Sequence, residues 1–483
     1  MQGAAAPIRR VSDEYSERLN DGRRVLLNGR YIEDVAQHVA FSGAVESVAA
    51  YYALQKDDPE VNCAVLDCGT SVPISLRPPA SQADLAANRA SYKAVADVSH
   101  GMLGRTPDFM NAVIMAIGMH SEILGDAGPI SYAENARRYH RDCCRTNRFV
   151  AHASINPQVD RTVQLGKSDC QFVGVHAVDE NKDGIVVRGA KMIATLAPIA
   201  DELLIFNMPG LVPGDERFAV AFAIPVSTPG VTLVCRKSIH HAGYSQFDHP
   251  LANRFDEIDS YVLFEDVKVP WDRVFVYRDV GRSNAFYDAT FARQHGGHQG
   301  NVRGLAKGEL AVGTALQLAE AFEMTGQPAI QESLGRLASD MEVLRSLIHL
   351  SEAAAVTSPA GVVTPSVTAI QSFRLTFPNI YRNALEVIRS LVPGSMLSVP
   401  SDADFSGDLG ATLMAALGTK VSGARKRSQL LNLAWDLVGD AFGQRQLTYE
   451  FYHAGAPGII AKGQFRNYGW DRERGAVAKA LEW

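Results

Sequence analysis

Read for the spacing of its apolar positions alone, the chain changes character twice. Residues 12–19 open on a serine followed by early acids, as a helix N-terminus does. Residues 41–54 and the Ala-rich 81–103 repeat at helical intervals, and further helices are predicted over 108–124 and 131–148. The interruption is DGRRVLLNGRYIEDV (21–35), where apolar and polar residues alternate about Asn28-Gly29, a hairpin signal. From about 149 to 278 the apolar runs become short, β-rich and punctuated by Gly, Pro and Asp. Strands are predicted at 171–176, 184–188, 202–206, 218–224, 231–235 and 260–264, with a turn at Asn181-Lys-Asp-Gly184. Beyond 279 helical spacing returns over 301–324, 329–357, 367–391 and 409–437, enough for a bundle. Residues 439–483 mix short helix and loop.

The fold class that follows is a multidomain α+β protein. An N-terminal mainly helical domain spans 1–148 and a middle antiparallel sandwich or barrel spans 149–278. A C-terminal helical bundle with its tail spans 279–483. A length of 483 residues agrees with two or three domains.

Composition narrows the function. Hydrophobic residues make up 46% and charged residues 21%, ordinary for a soluble globular chain. The net charge of −6, with no Arg-rich patch interleaved with aromatics, argues against nucleic acid as a partner. The opening MQGAAAPIRRVSDEY has no apolar signal region and no run reaches membrane-spanning length, so the cytoplasm is the expected compartment. Six cysteines are scattered without zinc spacing and are expected to be reduced thiols.

Several site classes are absent as motifs. There is no G-x-G-x-x-G after a strand, no P-loop, no H-E-x-x-H and no G-x-S-x-G. His240 and His241 point to opposite faces of a strand, and His295 and His298 are separated by two glycines with no carboxylate beside them. No metal is therefore expected. What stands out is NRFVAHASINPQVDR (147–161), at the junction of a predicted helix and the β region. It brings His152, Ser154, Asn156 and Gln158 together ahead of and around Pro157. Such a run suits a cofactor or substrate wall, or a polar interdomain loop. Arg105, in the Gly- and Pro-broken turn GMLGRTPDF (101–109), either projects into a pocket or caps the preceding helix.

The order helical domain, β domain, bundle resembles the acyl-CoA dehydrogenase architecture. Local sequence is more specific. The blocks DGRRVLLNGRYIEDVAQHVAF (21–41), GRTPDF (104–109), HASINPQVDR (152–161), GAKMIATLAPIADELLIF (189–206), FDEIDSYVLFEDVKVPWDRVF (255–275) and LAWDLVGDAFGQRQLTYEFYHAGAP (433–457) resemble the 4-hydroxyphenylacetate 3-monooxygenase family, in order and along nearly the whole chain. The resemblance implies the oxygenase component of a two-component phenol hydroxylase. It would take FAD as FADH2 from a separate NAD(P)H:flavin reductase, use molecular oxygen as co-substrate and act through a flavin C4a-hydroperoxide. It also implies a homotetramer.

By the same resemblance, His152 is the contact and proton acceptor for the phenol, and Arg105 stabilises the phenolate. Ala153, Ser154, Gln158 and Thr195 would line the flavin, with His152 beside it and Thr195 at N5. Gly443, Gln444, Arg445 and Gln446 would reach the flavin from the C-terminal region, with Arg445 either at the pyrophosphate or a structural arginine pairing within the tail. Phe109 replaces the family's usual Tyr, and Asn207 and Met208 stand where small hydroxyl residues are common in the substrate loop. These departures point to the halo- or nitrophenol branch, where Phe291 and His295, four apart, would be a ring clamp and base; the other reading has His295 cap the bundle helix that begins near Asn301. The competing reading is a flavin-dependent dehydratase or dehydrogenase of an acyl thioester. It lacks cluster cysteines near Arg105 and an identifiable glutamate base. A non-catalytic helical assembly protein would leave the polar segments without a role.

Overall fold

The structure is a computed structural model that describes residues 11–482 apart from 67, 160, 161, 171, 420 and 421. Its N-terminal helices are α1 (Val11–Arg18), α2 (Val39–Asp57), α3 (Gln82–Val98), α4 (Pro107–Met119) and α5 (Tyr132–Thr146). Local chemistry sets their ends. The Ser81 hydroxyl accepts from the Asp84 amide at 3.1 Å and starts α3. Pro107 occupies the first turn of α4, where no amide hydrogen is needed. Asn147 adopts the left-handed conformation that ends α5 and turns the chain into the sheet.

The strands are β1 (Val25–Leu27), β2 (Arg30–Tyr31), β3 (Val150–Ala153), β4 (His176–Asn181), β5 (Gly184–Lys191), β6 (Glu202–Ile205), β7 (Val220–Pro225), β8 (Val231–Cys235), β9 (Ser260–Pro270) and β10 (Val274–Tyr277). They form a six-stranded sheet, ordered β2-β1-β8-β9-β5-β4, and a four-stranded sheet, ordered β10-β7-β6-β3. The hairpin about Asn28-Gly29 is present, both residues having positive φ. It does not stay with the N-terminal helices: β1 joins β8 in the larger sheet. The sheets are also not purely antiparallel, since β1 runs parallel to β8 and β3 parallel to β6. Both strands enter from helical segments rather than through a hairpin, so antiparallel entry is not imposed on them. The strand expected from 171 begins only at His176; Gln171 lies outside the described residues.

The C-terminal helices include α6 (Val280–Ala289), α7 (Ala292–Ala321), α8 (Pro328–Ala353), α9 (Val367–Leu391), α10 (Ala424–Val438) and α11 (Ala441–Tyr452), with Pro457–Asn467 and Asp471–Ala480 helical in the tail. Helix α7 begins at Ala292 and passes straight through His295-Gly-Gly-His298. The glycines cost propensity but permit close packing. A Cβ on Gly297 would lie 2.6 Å from Ile370 of α9, and one on Gly296 would lie 3.0 Å from Val113 of α4. The predicted helix over 409–437 is broken instead. Gly410–Leu417 is a separate short helix, and Gly418 and Gly423 flank the break before α10.

Helices α7 and α11 are joined by buried charge. Arg303 and Lys307 both bond Glu450, and Lys307 also bonds Gln446 at 2.6 Å. Burial raises the Glu450 pKa, but the two cations outweigh it and hold the carboxyl well below its usual range. Gln446 continues the link to the turn before α4, donating to the Met102 carbonyl at 3.1 Å. Glu450→Gln would leave two buried cations short of a counter-ion. Its unfolding free energy should fall by about 3–5 kcal/mol in urea titration, and an unchanged midpoint would contradict that.

Candidate active site

His152 is on β3 opposite Leu204 of β6. Its neighbours Ala151 and Ala153 point into the core, which turns the imidazole to the other face. There it meets a row of rings. Phe109 lies 5.7 Å away, Phe206 stacks at 6.1 Å, and Tyr287 stacks on Phe206 at 5.5 Å. Neither imidazole nitrogen has a hydrogen-bond partner among the described residues. Burial, then the nearby charge of Arg105, pushes the His152 pKa down to about 3. The ring is neutral at physiological pH, with one nitrogen able to accept and one able to donate.

Arg105 projects inward. It packs over Phe109 at 4.3 Å, and bonds the Tyr449 hydroxyl at 2.6 Å, the Gly104 carbonyl at 3.0 Å and the His453 carbonyl at 3.1 Å. Among the described residues no carboxylate pairs with it, and it does not cap the helix before it. Its placement needs Gly104, where a Cβ would fall 2.0 Å from the Tyr449 hydroxyl. Glu257 holds the same turn by accepting from the Gly104 amide at 2.6 Å.

Phe291 and His295 do not form the expected clamp. Phe291 precedes α7 and its ring lies 4.7 Å from His120. His295 is 2% exposed and approaches the Thr364 hydroxyl at 3.3 Å. Burial, followed by repulsion from His298 and His120, lowers its pKa to about 3. Both side chains are drawn into helix packing, because α7 starts earlier than the glycine pair suggests. His298 does have a carboxylate beside it, contrary to the sequence reading. Glu352 of α8 bonds it at 2.9 Å.

Thr195, between β5 and β6 in the chain, donates to Asp259 at 2.7 Å. Burial raises the Asp259 pKa, but Arg445 and Arg236 bring it below its usual value. Arg445 was expected at a pyrophosphate. It is instead held by Asp259 at 2.8 Å and Glu257 at 3.2 Å, so its charge is already neutralised. Its neighbours are packing residues as well. A Cβ on Gly443 would lie 2.1 Å from the Leu437 carbonyl, Gln444 donates to Val438 O at 3.2 Å, and Gln446 is fully buried with Lys307 and Met102. Ala153 is buried in the sheet, Ser154 is half-buried and Gln158 is exposed. Between these and Thr195, Ile193 holds a left-handed backbone and is 49% exposed. A β-branched residue in that conformation is strained, and such strain gathers at binding sites.

Asn207 also departs from expectation. It is buried and turned inward, donating to the Phe218 carbonyl at 2.8 Å and to the Ser283 hydroxyl at 3.2 Å. Its amide oxygen accepts from Lys191, which also bonds Asn156. Met208 is half-buried against the core. Lys191 is fully buried without a carboxylate, and burial lowers its pKa to about 7. Sequence reasoning passed over it, although a lysine ending the apolar strand GIVVRGAK was a visible signal. Phe206, Tyr287, Tyr449 and Asp259 were also missed. They lie far apart in the chain and carry no local motif.

The chain is similar to proteins of one family along nearly its whole length. The family description "4-hydroxyphenylacetate 3-hydroxylase N terminal" matches residues 12–276, and its C-terminal counterpart matches residues 283–482. The 4-hydroxyphenylacetate 3-monooxygenase oxygenase component of Thermus thermophilus is 36% identical over 93% of this chain and 92% of its own. That of Geobacillus sp. (strain PA-9) is 34% identical over 95% and 94%. A solved structure of such an oxygenase component, complexed with FAD and 4-hydroxyphenylacetate, superposes with a TM-score of 0.92 at 34% identity, covering 98% of each chain. These relatives make the chain an oxygenase component of the flavin-dependent aromatic monooxygenase class, with an acyl-CoA dehydrogenase-like fold. Within that class the chain belongs to the 4-hydroxyphenylacetate 3-hydroxylase family.

The depressed histidines make stability depend on pH. As pH falls below about 6.5 the unfolded chain binds protons that the folded protein refuses until about pH 3, so stability declines through that window. Buried His295 alone should contribute a slope on the order of 1 kcal/mol per pH unit. In denaturant titrations at pH 4 and 6, His295→Gln should narrow the difference; an unaltered difference would mean that His295 protonates in place.

Proposed function

We propose that the protein hydroxylates a phenol with molecular oxygen and FADH2, the FADH2 coming from a separate NAD(P)H:flavin reductase. The observation that carries this is the neutral, unpartnered His152 beside the unneutralised Arg105 at the end of an aromatic cage. A phenol has a reference pKa near 10. Seated with its hydroxyl at His152, it donates a hydrogen bond to the neutral imidazole, which takes the proton only as the oxygen's electron density moves into the ring during attack. The fixed charge of Arg105 stabilises the phenolate, and the released electron density activates the ring carbon beside the oxygen. Phe109, Phe206 and Tyr287 clamp the ring and exclude water.

The residues present fit a flavin on the Thr195 side. Ile193 offers an exposed apolar contact, and Thr195 and Ser154 offer hydroxyls to the edge of a flat ring. When bound in its reduced form, the flavin supplies the activation of oxygen for transfer to the substrate. Phenol, O2 and FADH2 then balance as catechol, water and FAD. Arg445, locked by two carboxylates, is not assigned to the pyrophosphate. Assembly as a homotetramer belongs to the same proposal, by likeness to the family.

Purified protein supplied with FAD, NADH and an unrelated flavin reductase should convert members of a phenol panel to catechols, read by chromatography. Hydrogen peroxide as sole product across phenol, 4-hydroxyphenylacetate, 4-chlorophenol and 4-nitrophenol would count against the proposal. His152→Ala should lower kcat by roughly 10²-fold with thermal stability retained. An undiminished kcat would remove His152 from the proton transfer.

A further inference from the structure

Lys191 closes β5, a strand whose other buried positions are apolar or glycine, and it is itself fully buried. Its Nζ donates to Asn156 Oδ1 at 2.8 Å and to Asn207 Oδ1 at 2.7 Å. An apolar side chain would serve the strand without the cost of burying an amine. The amine is therefore accounted for by what its two bonds join. An ammonium carries three hydrogens and a neutral amine two, so both bonds survive loss of the proton.

The two amides belong to the chain exits on either side of the aromatic cage. β3 and β6 run parallel, and their pairing ends at Ala153 and Ile205. The last ladder bond, from the Phe206 amide to the Ala153 carbonyl, is long at 3.4 Å. Past that point Lys191 spans both exits. On the β3 side the Met192 amide, next in the chain, donates to the Ile155 carbonyl at 2.9 Å, so two successive residues hold that segment. Asn156 packs on Gly174, where a Cβ would lie 3.1 Å from the amide carbon. On the β6 side the Asn207 amide nitrogen is taken by the Phe218 carbonyl and the Ser283 hydroxyl, which leaves its oxygen turned to Lys191. Three residues on, the Gly210 and Leu211 amides are held by Asn284 of α6 at 2.9 and 3.0 Å. His152 stands on the first exit and Phe206 on the second, stacked at 6.1 Å. Their spacing depends on how the two exits are held together.

We propose that Lys191 is a positioning residue for the hydroxylation: through Asn156 and Asn207 it holds the segment that carries His152 and Ser154 against the segment that carries Phe206 and Met208. Fully buried, it acts through these two side chains and not on the substrate. The chain from Lys191 also leads in four residues to Thr195, so one strand end sets the ring wall and the start of the flavin wall together. This rests on the hydroxylation reading above. A phenol would still enter a cage without the tether, but its ring would be placed less exactly, and small misplacements far from the chemistry cost rate more than binding.

The test compares wild type, Lys191→Met and Asn156→Ala in two measurements. In hydrogen exchange read by mass spectrometry, Lys191→Met should speed exchange about 10-fold in both 154–158 and 207–212, with β3 and β6 at wild-type rates. Unchanged exchange in either segment would refute the tether. In the reductase-coupled assay, with the phenol that wild type converts best, Lys191→Met should lower kcat by about 10- to 100-fold. It should keep KM within about threefold and divert oxygen from catechol to hydrogen peroxide. A contact that serves stability alone would lower the melting temperature and leave kcat and the peroxide share of the folded enzyme at wild-type values, which would overturn the positioning role. Asn156→Ala, at a half-buried site, removes one bond only and decides the matter if the Met variant does not fold. It should shift kcat and the peroxide share in the same direction by a smaller factor, and wild-type values there would equally overturn the role. The double variant should be no slower than Lys191→Met, because both changes break one link; multiplied losses would assign the two residues separate roles and overturn the proposal. A wild type that makes no catechol from any phenol would refute the hydroxylation reading and the positioning role with it, while the exchange rates still report the tether.

Discussion

Charge buried away from water must be paired, and here the pairing sets the shape of the interior. Glu450 on α11 takes Arg303 and Lys307 from α7, and Arg445 on the same helix takes Glu257 and Asp259 from the strand side. Helix α11 is thereby held between bundle and sheet by ion pairs that lose most of their value if either partner shifts. The same helix presents Tyr449 to Arg105 and Gln446 to Met102, so the turn before α4 takes its place from α11 as well. The position of the candidate catalytic arginine is a consequence of this locking.

Against that background the exceptions carry meaning. Most buried cations in the interior find a carboxylate. Arg105 and Lys191 do not: Arg105 bonds two carbonyls and a hydroxyl, and Lys191 bonds two amide oxygens. Lys191 is compensated by two amide oxygens and binds the segment after β3 to the segment after β6. Arg105 thus keeps an unneutralised charge beside Phe109 and His152, which suits an electron-rich aromatic anion more than a neutral thioester. The neutral state of His152 follows from the same physics: an imidazolium there would add one more unpaired charge.

Much of the fold was legible because its signals are local. The hairpin at Asn28-Gly29, the capped start of α3, the proline start of α4 and the bundle helices up to Leu391 each follow from residues within one or two turns. The same holds for the individual chemistry of His152 and Arg105. The mistakes share a cause. Gly296 and Gly297 fall ahead of the helix predicted from 301 but serve as a packing seam within α7, and Gly418 and Gly423 fall inside the helix predicted over 409–437 but flank its break. Whether a glycine interrupts or a charge is available depends on what another segment brings within a few ångströms.

The sequence by itself determined the alternation of helical and strand segments, the family blocks and the polar run about His152. These rest on periodicity, capping and side-chain identity, which act between near neighbours. Only the tertiary structure decided that β1 joins the middle sheet, that Asn207 turns inward and that Phe291 and His295 are packed away. Those outcomes are set by contacts between residues tens to hundreds of positions apart, where burial turns ordinary side chains into paired or unpaired charges.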